Sequence, residues 1–134
     1  LALEALSRGA AQAVVVDVAP EAIAVIERNT AALRYSENVR VVRGRLPAAL
    51  SRLGNTPFDL IFCDPPYGTV SALPLVEALL AQGLVGRETT LVWEDGSDAP
   101  PALEAIATPI HRREHGDTLM TVWRLSNDAP QRVC

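Results

Sequence analysis

The stretch "FCDPPYG", residues 62 to 68, sets an acid, two prolines and an aromatic ring directly behind the apolar run Leu60, Ile61, Phe62, Cys63. Consecutive prolines fix φ and remove two amide donors, so Asp64 and its neighbours are held in an extended, non-helical turn. Carbonyl oxygens in such a turn remain available as acceptors. The Asp64 carboxylate and a backbone carbonyl near Pro65 can take the two hydrogens of a planar amino group, while Tyr67 offers a face for stacking. That is a clamp for an aromatic amine. A bare proline pair more often does no more than stop a strand, with Tyr67 and Gly68 completing a turn. Four such residues at the end of a buried-strand pattern favour the chemical reading.

Asp17 ends a second apolar run, "AQAVVVDV". A carboxylate between a strand and the following helix can accept bonds from both hydroxyls of a ribose. The same position suits a plain helix-start acid, since Asp17 and Glu21 both lie near a positive helix N-terminus. Position alone leaves the two readings even. His111 and His115 flank "RRE", but no Cys or acid completes a recognisable ligand set, so no metal is expected and both are read as surface residues. Arg112, Arg113 and Arg124 offer a small phosphate-contacting patch, although Glu114 and Asp117 among them make ordinary ion pairs the commoner outcome. Trp93 reads as core, and Glu94 as the better pocket candidate of the two.

The elements that must position these residues alternate. "LALEALSRGA" reads as the end of a helix with Gly9 at its C-terminal cap. "AQAVVVDV" reads as a strand buried on both faces, ending at Asp17. Pro20 and Glu21 open a helix with Ala22, Val25, Ile26, Asn29 and Leu33 on one stripe. "VRVVRG" is a short strand, followed by a helix that places Leu46, Ala49, Leu50 and Leu53 on one face. "FDLIFCD" is the next strand. A helix from about Ser71 to Gln82, closed by Gly83, aligns Leu73, Val76 and Leu80, and "TTLVWED" is a further buried strand. Beyond Pro100 and Pro101, a short helical piece near 102–107 leads into "TPIHRREHG" and "DTLMTVWRL", which alternate as an antiparallel hairpin around "HGD". The fold class expected is α/β: three layers with a mostly parallel sheet and a C-terminal antiparallel hairpin. Ligands of such sheets bind beyond the carboxyl ends of the strands, where both Asp17 and "DPPY" fall, so the two are expected to share a site.

With 134 residues and 49% hydrophobic content, the chain is long enough for one domain with a real core. We place that domain at 1–126 and a frayed tail at 127–134. The first residue is Leu1, nothing resembles a signal peptide, and the chain reads as a fragment. No apolar run is long enough to span a bilayer, so no membrane association is expected. Two cysteines, Cys63 and Cys134, make neither a disulfide framework nor a metal site, which suits a reducing cytoplasm. A net charge of -4 argues against a surface that is basic all over.

"DPPY" behind an apolar strand resembles the amine-recognition motif of Rossmann-like S-adenosylmethionine-dependent N-methyltransferases. "LEALSRGA", "VVVD", "FDLIFCDPPY" and "HGDTLMTVWR" together resemble the RsmD-like guanine-N2 methyltransferases of small-subunit ribosomal RNA, over nearly the whole chain to about Leu125. The resemblance implies S-adenosylmethionine as cofactor, held by Asp17 at its ribose with Val18, Arg45, Leu46 and Asp64 also contributing. It implies Asp64, Pro65, Pro66 and Tyr67 as the catalytic clamp. The implied partner is ribosomal RNA or the assembling small subunit, in the cytoplasm, with a monomeric full-length protein. The family's first strand and glycine-rich cofactor loop, and a basic N-terminal stretch, would precede "LEALSRGA" and are absent from this sequence. Arg45 stands where the family commonly has an adenine-binding Asp or Asn, and an arginine has no acceptor to offer. Two other readings stay open. One is a DNA adenine or protein glutamine N-methyltransferase, which shares the D/N-P-P-Y form. The other is a non-catalytic module, suggested by the missing loop and by Arg45.

Overall fold

The computed structural model describes residues 1–66, 68–98 and 100–128. The chain divides into two compact units, Leu1–Leu53 and Gly54–Cys134, each taken here by itself.

In the first unit, helix α1 (Ala2–Ser7) ends ahead of Gly9, whose φ of 108° is one that glycine adopts without a Cβ penalty. Strand β1 (Ala13–Asp17), helix α2 (Pro20–Ala32) and strand β2 (Val39–Arg43) follow, then a 3-10 helix (Ala48–Arg52). β1 and β2 pair in parallel from Ala13 opposite Val39 to Asp17 opposite Arg43. The backbone extends that ladder at both ends: the Ala13 N–H donates to the Asn38 carbonyl at 2.8 Å and the Gly44 N–H to the Asp17 carbonyl at 2.9 Å.

Two expectations change here. β1 is half-buried along its length rather than buried on both faces, and among the described residues it pairs with β2 alone. On α2 the inward stripe is Ala22, Ile23, Ile26 and Thr30, while Val25 and Leu33 are exposed. The expected stripe is rotated because Thr30 turns inward. Its hydroxyl donates to the Ile26 carbonyl at 2.7 Å, which satisfies it without a distant partner. The 46–53 segment keeps its predicted inner face, with Ala49 and Leu50 buried, but winds as a five-residue 3-10 turn rather than an α-helix.

The second unit holds β3 (Phe58–Cys63), α3 (Ala72–Ala81), β4 (Val85–Gly96), β5 (Ala107–His115) and β6 (Thr118–Leu125). Its sheet runs β3-β4-β6-β5, with β3 and β4 parallel and the other two pairings antiparallel. A parallel pair needs a crossover, and α3 supplies it. Gly83, at φ 78°, closes that helix as expected. The buried residues of α3 are Ala72, Leu75, Val76 and Leu79, so of the predicted stripe only Val76 is fully inside and Leu73 is exposed.

One sheet face carries the core. Leu91 stands opposite Trp123, Trp93 opposite Thr121, Asp95 opposite Leu119 and Thr89 opposite Leu125, all of them buried. The period-2 alternation of both strands dictates this, since a one-residue slip would turn every one of them outward. The helix expected near 102–107 is instead a turn at 104–106, and Ala107 already belongs to β5. The N–H groups of Ile106 and Ala107 both donate to the Leu103 carbonyl, at 2.9 and 2.8 Å, and β5 starts immediately afterwards. The hairpin turn is Gly116–Asp117, and Gly116 takes the positive φ of 59° that a two-residue turn requires.

Among the described residues the ladders form one two-stranded sheet in the first unit and one four-stranded sheet in the second. Among the described residues no helix is long and apolar enough to cross a membrane.

Packing of this kind predicts a contrast. Leu119→Ala, at a fully buried position, should cost about 2–5 kcal/mol in urea unfolding. Ile110→Ala, at the irregularity where β5 loses register and the side chain is 50% exposed, should stay within about 0.5 kcal/mol.

Candidate active site

Asp17 sits at the carboxyl end of β1, and Arg45 and Leu46 follow the carboxyl end of β2, so the parallel ladder delivers them to one edge of the first unit. The helix-start reading of Asp17 is visible directly. Its Oδ1 accepts the Ala19 N–H at 2.9 Å, which ties down the start of α2, and that bond leaves Oδ2 for a second donor. Val18, next in the chain, is 48% exposed at this edge. Arg45 is exposed and Leu46 half-buried. The Arg45 carbonyl accepts the Ala49 N–H at 2.9 Å, so its backbone opens the 3-10 helix while its guanidinium stays outside.

In the second unit β3 delivers the clamp residues. The last ladder position is Cys63 opposite Trp93, and the strand stops there because Pro65 and Pro66 bring no N–H to continue it. Asp64 and Pro66 are exposed and Pro65 is half-buried. The Pro66 carbonyl accepts both the Thr69 N–H at 3.1 Å and the Thr69 hydroxyl at 2.5 Å, closing a turn in which Gly68 takes a φ of 71°. Among the described residues the Asp64 carboxylate and the Pro65 carbonyl have no hydrogen-bond partner. Tyr67, the proposed stacking ring, lies outside the described residues.

Thr69 carries no motif signal, although a threonine three residues past a proline turn is a recurrent side-chain-to-backbone partner. Asp95 went unread as well. It is buried, accepts the Gly96 N–H at 2.8 Å and faces the Trp93 indole N–H at 3.4 Å, which fixes the carboxyl end of β4. Trp93 is wholly buried core, as expected, and Glu94 is half-buried.

His111 and His115 are exposed on β5, and among the described residues no cluster of His, Cys, Asp or Glu could hold a metal ion. Arg112 pairs with Glu114 at 2.6 Å and Arg124 with Glu88 at 3.8 Å.

With both carboxyl-end edges in view, the class of protein can be stated. A SAM-dependent methyltransferase of Aquifex aeolicus superposes with a TM-score of 0.65 at 19% identity, over 92% of this chain and 75% of that one. The α/β arrangement is thus the Rossmann-like methyltransferase fold. A conserved hypothetical protein of Streptococcus pyogenes superposes more closely, with a TM-score of 0.86 at 28% identity over 93% of this chain and 78% of that one. The family model described as "Conserved hypothetical protein 95" matches residues 1–124, and the chain belongs to that family, the RsmD-like methyltransferases. Among curated proteins, Ribosomal RNA small subunit methyltransferase D of Buchnera aphidicola (subsp. Acyrthosiphon pisum) is 33% identical over 67 residues. That match spans 50% of this chain and 35% of the length of the Buchnera protein.

Cys63, next to the clamp, is no nucleophile. Burial pushes its thiol from the ordinary 9.0 up to about 12, so it stays protonated at neutral pH. The folded state thus keeps a proton that the unfolded chain releases above pH 9.0, and stability falls as pH rises through the window from 9.0 to about 12. Urea midpoints of the unsubstituted protein should drop across that window more steeply than those of Cys63→Ala. Parallel curves would contradict the burial.

Proposed function

We propose that this protein is an S-adenosylmethionine-dependent N-methyltransferase that methylates the exocyclic N2 amine of a guanine in small-subunit ribosomal RNA. The observation that carries the reading is the turn after β3, where the Asp64 carboxylate and the Pro65 carbonyl, without a hydrogen-bond partner among the described residues, stand behind a strand end that Pro65 and Pro66 make rigid. Family membership and the name of the Buchnera relative support the substrate class.

The cofactor fits part of the residues present. Asp17 keeps one carboxylate oxygen free at the edge where nucleosides bind in such folds, so it would hold the ribose, with Val18 and Leu46 lining the same edge. Arg45 cannot accept the adenine amino hydrogens, and its planar guanidinium would stack on the ring instead. Bound S-adenosylmethionine supplies a methyl group already activated for transfer. The chain's own work is then on the amine. The nitrogen lone pair of a guanine N2 is delocalised into the ring, and acceptors holding both of its hydrogens favour a pyramidal, nucleophilic nitrogen. Asp64 and Pro65 take those two roles, Pro66 keeps the turn rigid, and Tyr67 gives a stacking face to the base. Once methylated, the nitrogen sheds one hydrogen as a proton, which the Asp64 carboxylate would accept and pass to water. We place the catalytic domain at 1–126 and the reaction in the cytoplasm, where small subunits assemble.

Two variants separate the halves of this reading. Asp64→Ala should lower the rate of labelled-methyl transfer to small-subunit RNA by roughly 10²–10³-fold and leave cofactor affinity within about 2-fold. Asp17→Ala should weaken cofactor binding, measured by titration calorimetry, by about 10–100-fold. Full transfer by Asp64→Ala would overturn the clamp. Preferred transfer to a DNA adenine or a glutamine peptide in competition would overturn the substrate.

A further inference from the structure

The acidic balance of the chain hides a local reversal. The unit Leu1–Leu53 carries seven of the 12 arginines against five acids. Four of these arginines, Arg40, Arg43, Arg45 and Arg52, fall in "RVVRGRLPAALSR", a stretch with no Asp or Glu. All four are exposed.

They are also tied together. Arg40 Nη2 donates to the Arg52 carbonyl at 2.6 Å, and Arg52 Nη2 donates to the Arg43 carbonyl at 2.5 Å. The Arg52 guanidinium lies across Gly44, where a Cβ would overlap Nη2 and stand 2.9 Å from the Ala49 Cβ. A glycine is what lets the side chain cross there. Among the described residues none of the four lies within 4.0 Å of a carboxylate, whereas Arg8, Arg87, Arg112 and Arg124 all do. Asp17 stands opposite Arg43 in the ladder, yet gives its Oδ1 to the Ala19 N–H.

We propose that Arg40, Arg43 and Arg52, on this edge of β2 and the 3-10 helix, form a docking surface for the phosphodiester backbone of the RNA substrate, leaving Arg45 to the cofactor. The inference rests on the methyltransferase reading above and adds where the RNA is gripped. Unpaired guanidinium forks match phosphate oxygens two at a time, and a cluster of them without acids creates a positive field that the net charge of the chain does not show. An acidic polypeptide is the weaker fit. Of the larger apolar residues of the stretch, Val42 and Leu50 are buried and Val41 and Leu46 half-buried, so none stands fully exposed beside the arginines.

The test is the salt dependence of binding to a labelled single-stranded RNA, with the full-length protein and two double variants. Arg40→Gln with Arg43→Gln should weaken binding several-fold and reduce the slope of log K against log salt by about 1.4, the release expected from two lost phosphate contacts on a single strand. Arg28→Gln with Arg34→Gln removes equal charge from the same unit and should leave the slope nearly unchanged. Cofactor titration of each variant reports whether the first unit is folded. An unchanged slope in the Arg40/Arg43 variant, an equal loss in the control, no RNA binding at all, or displacement of RNA by polyglutamate at equal charge would each overturn the proposal. Methyl transfer measured on the same preparations keeps the two claims apart. Transfer with an unchanged slope sinks the arginine edge alone, while a reduced slope without transfer supports the edge and sinks the catalytic reading.

Discussion

Strand β4 is hydrogen-bonded on both sides, in parallel to β3 and antiparallel to β6, and this double pairing fixes where β3 must end. A strand held in the middle of a ladder cannot slip by one residue without turning Leu91 and Trp93 out of the core, so β4 sets the register of its neighbours. Cys63 is the last residue of β3 to find a partner, opposite Trp93. The two prolines that follow have no N–H to give, so the chain leaves the sheet at Asp64. Burial of Trp93, Trp123, Leu119 and Leu125 thereby places an exposed carboxylate at a defined edge.

The first unit uses the same device with a different acid. The parallel ladder from Ala13 to Asp17 ends where β2 ends, and the Gly44 N–H carries the pairing one residue further. Asp17 accepts the Ala19 N–H on one carboxylate oxygen at the entry to α2, and among the described residues its other oxygen has no hydrogen-bond partner. The positive helix terminus that stabilises the acid also orients it. Arginine accumulates along β2 and the 3-10 helix after it, where Arg40 and Arg52 donate to backbone carbonyls rather than to carboxylates.

Much of this was legible in the sequence because glycine, proline and β-branched runs act locally. Gly9, Gly83 and Gly116 marked turns and helix ends, "VVVD" and "FDLIFC" marked strands, and "HGD" marked the hairpin, each through a backbone preference that does not depend on distant partners. Helix faces were harder. The stripes of α2 and α3 came out rotated, because which side of a helix is buried depends on what packs against it and on polar residues such as Thr30 that satisfy themselves within the helix. Asp95 and Thr89 were missed for a related reason. Each is a buried polar residue whose partners, the Trp93 indole for one and the Phe58 carbonyl for the other, are set by strand register and not by spacing along the chain. Of the site, the acceptors at Asp64 and Pro65 were readable from the prolines, whereas the turn-closing bonds from Thr69 were not.

The central claim is that the turn after β3 presents its acceptors to the exocyclic amine of a guanine. The most direct measurement is to incubate the full-length protein with labelled S-adenosylmethionine and small-subunit ribosomal RNA, digest the RNA to nucleosides and identify which one carries the label. The account predicts label on N2-methylguanosine and on no other nucleoside. Label on an adenine or on protein, or no transfer to any RNA or assembling subunit, would contradict it.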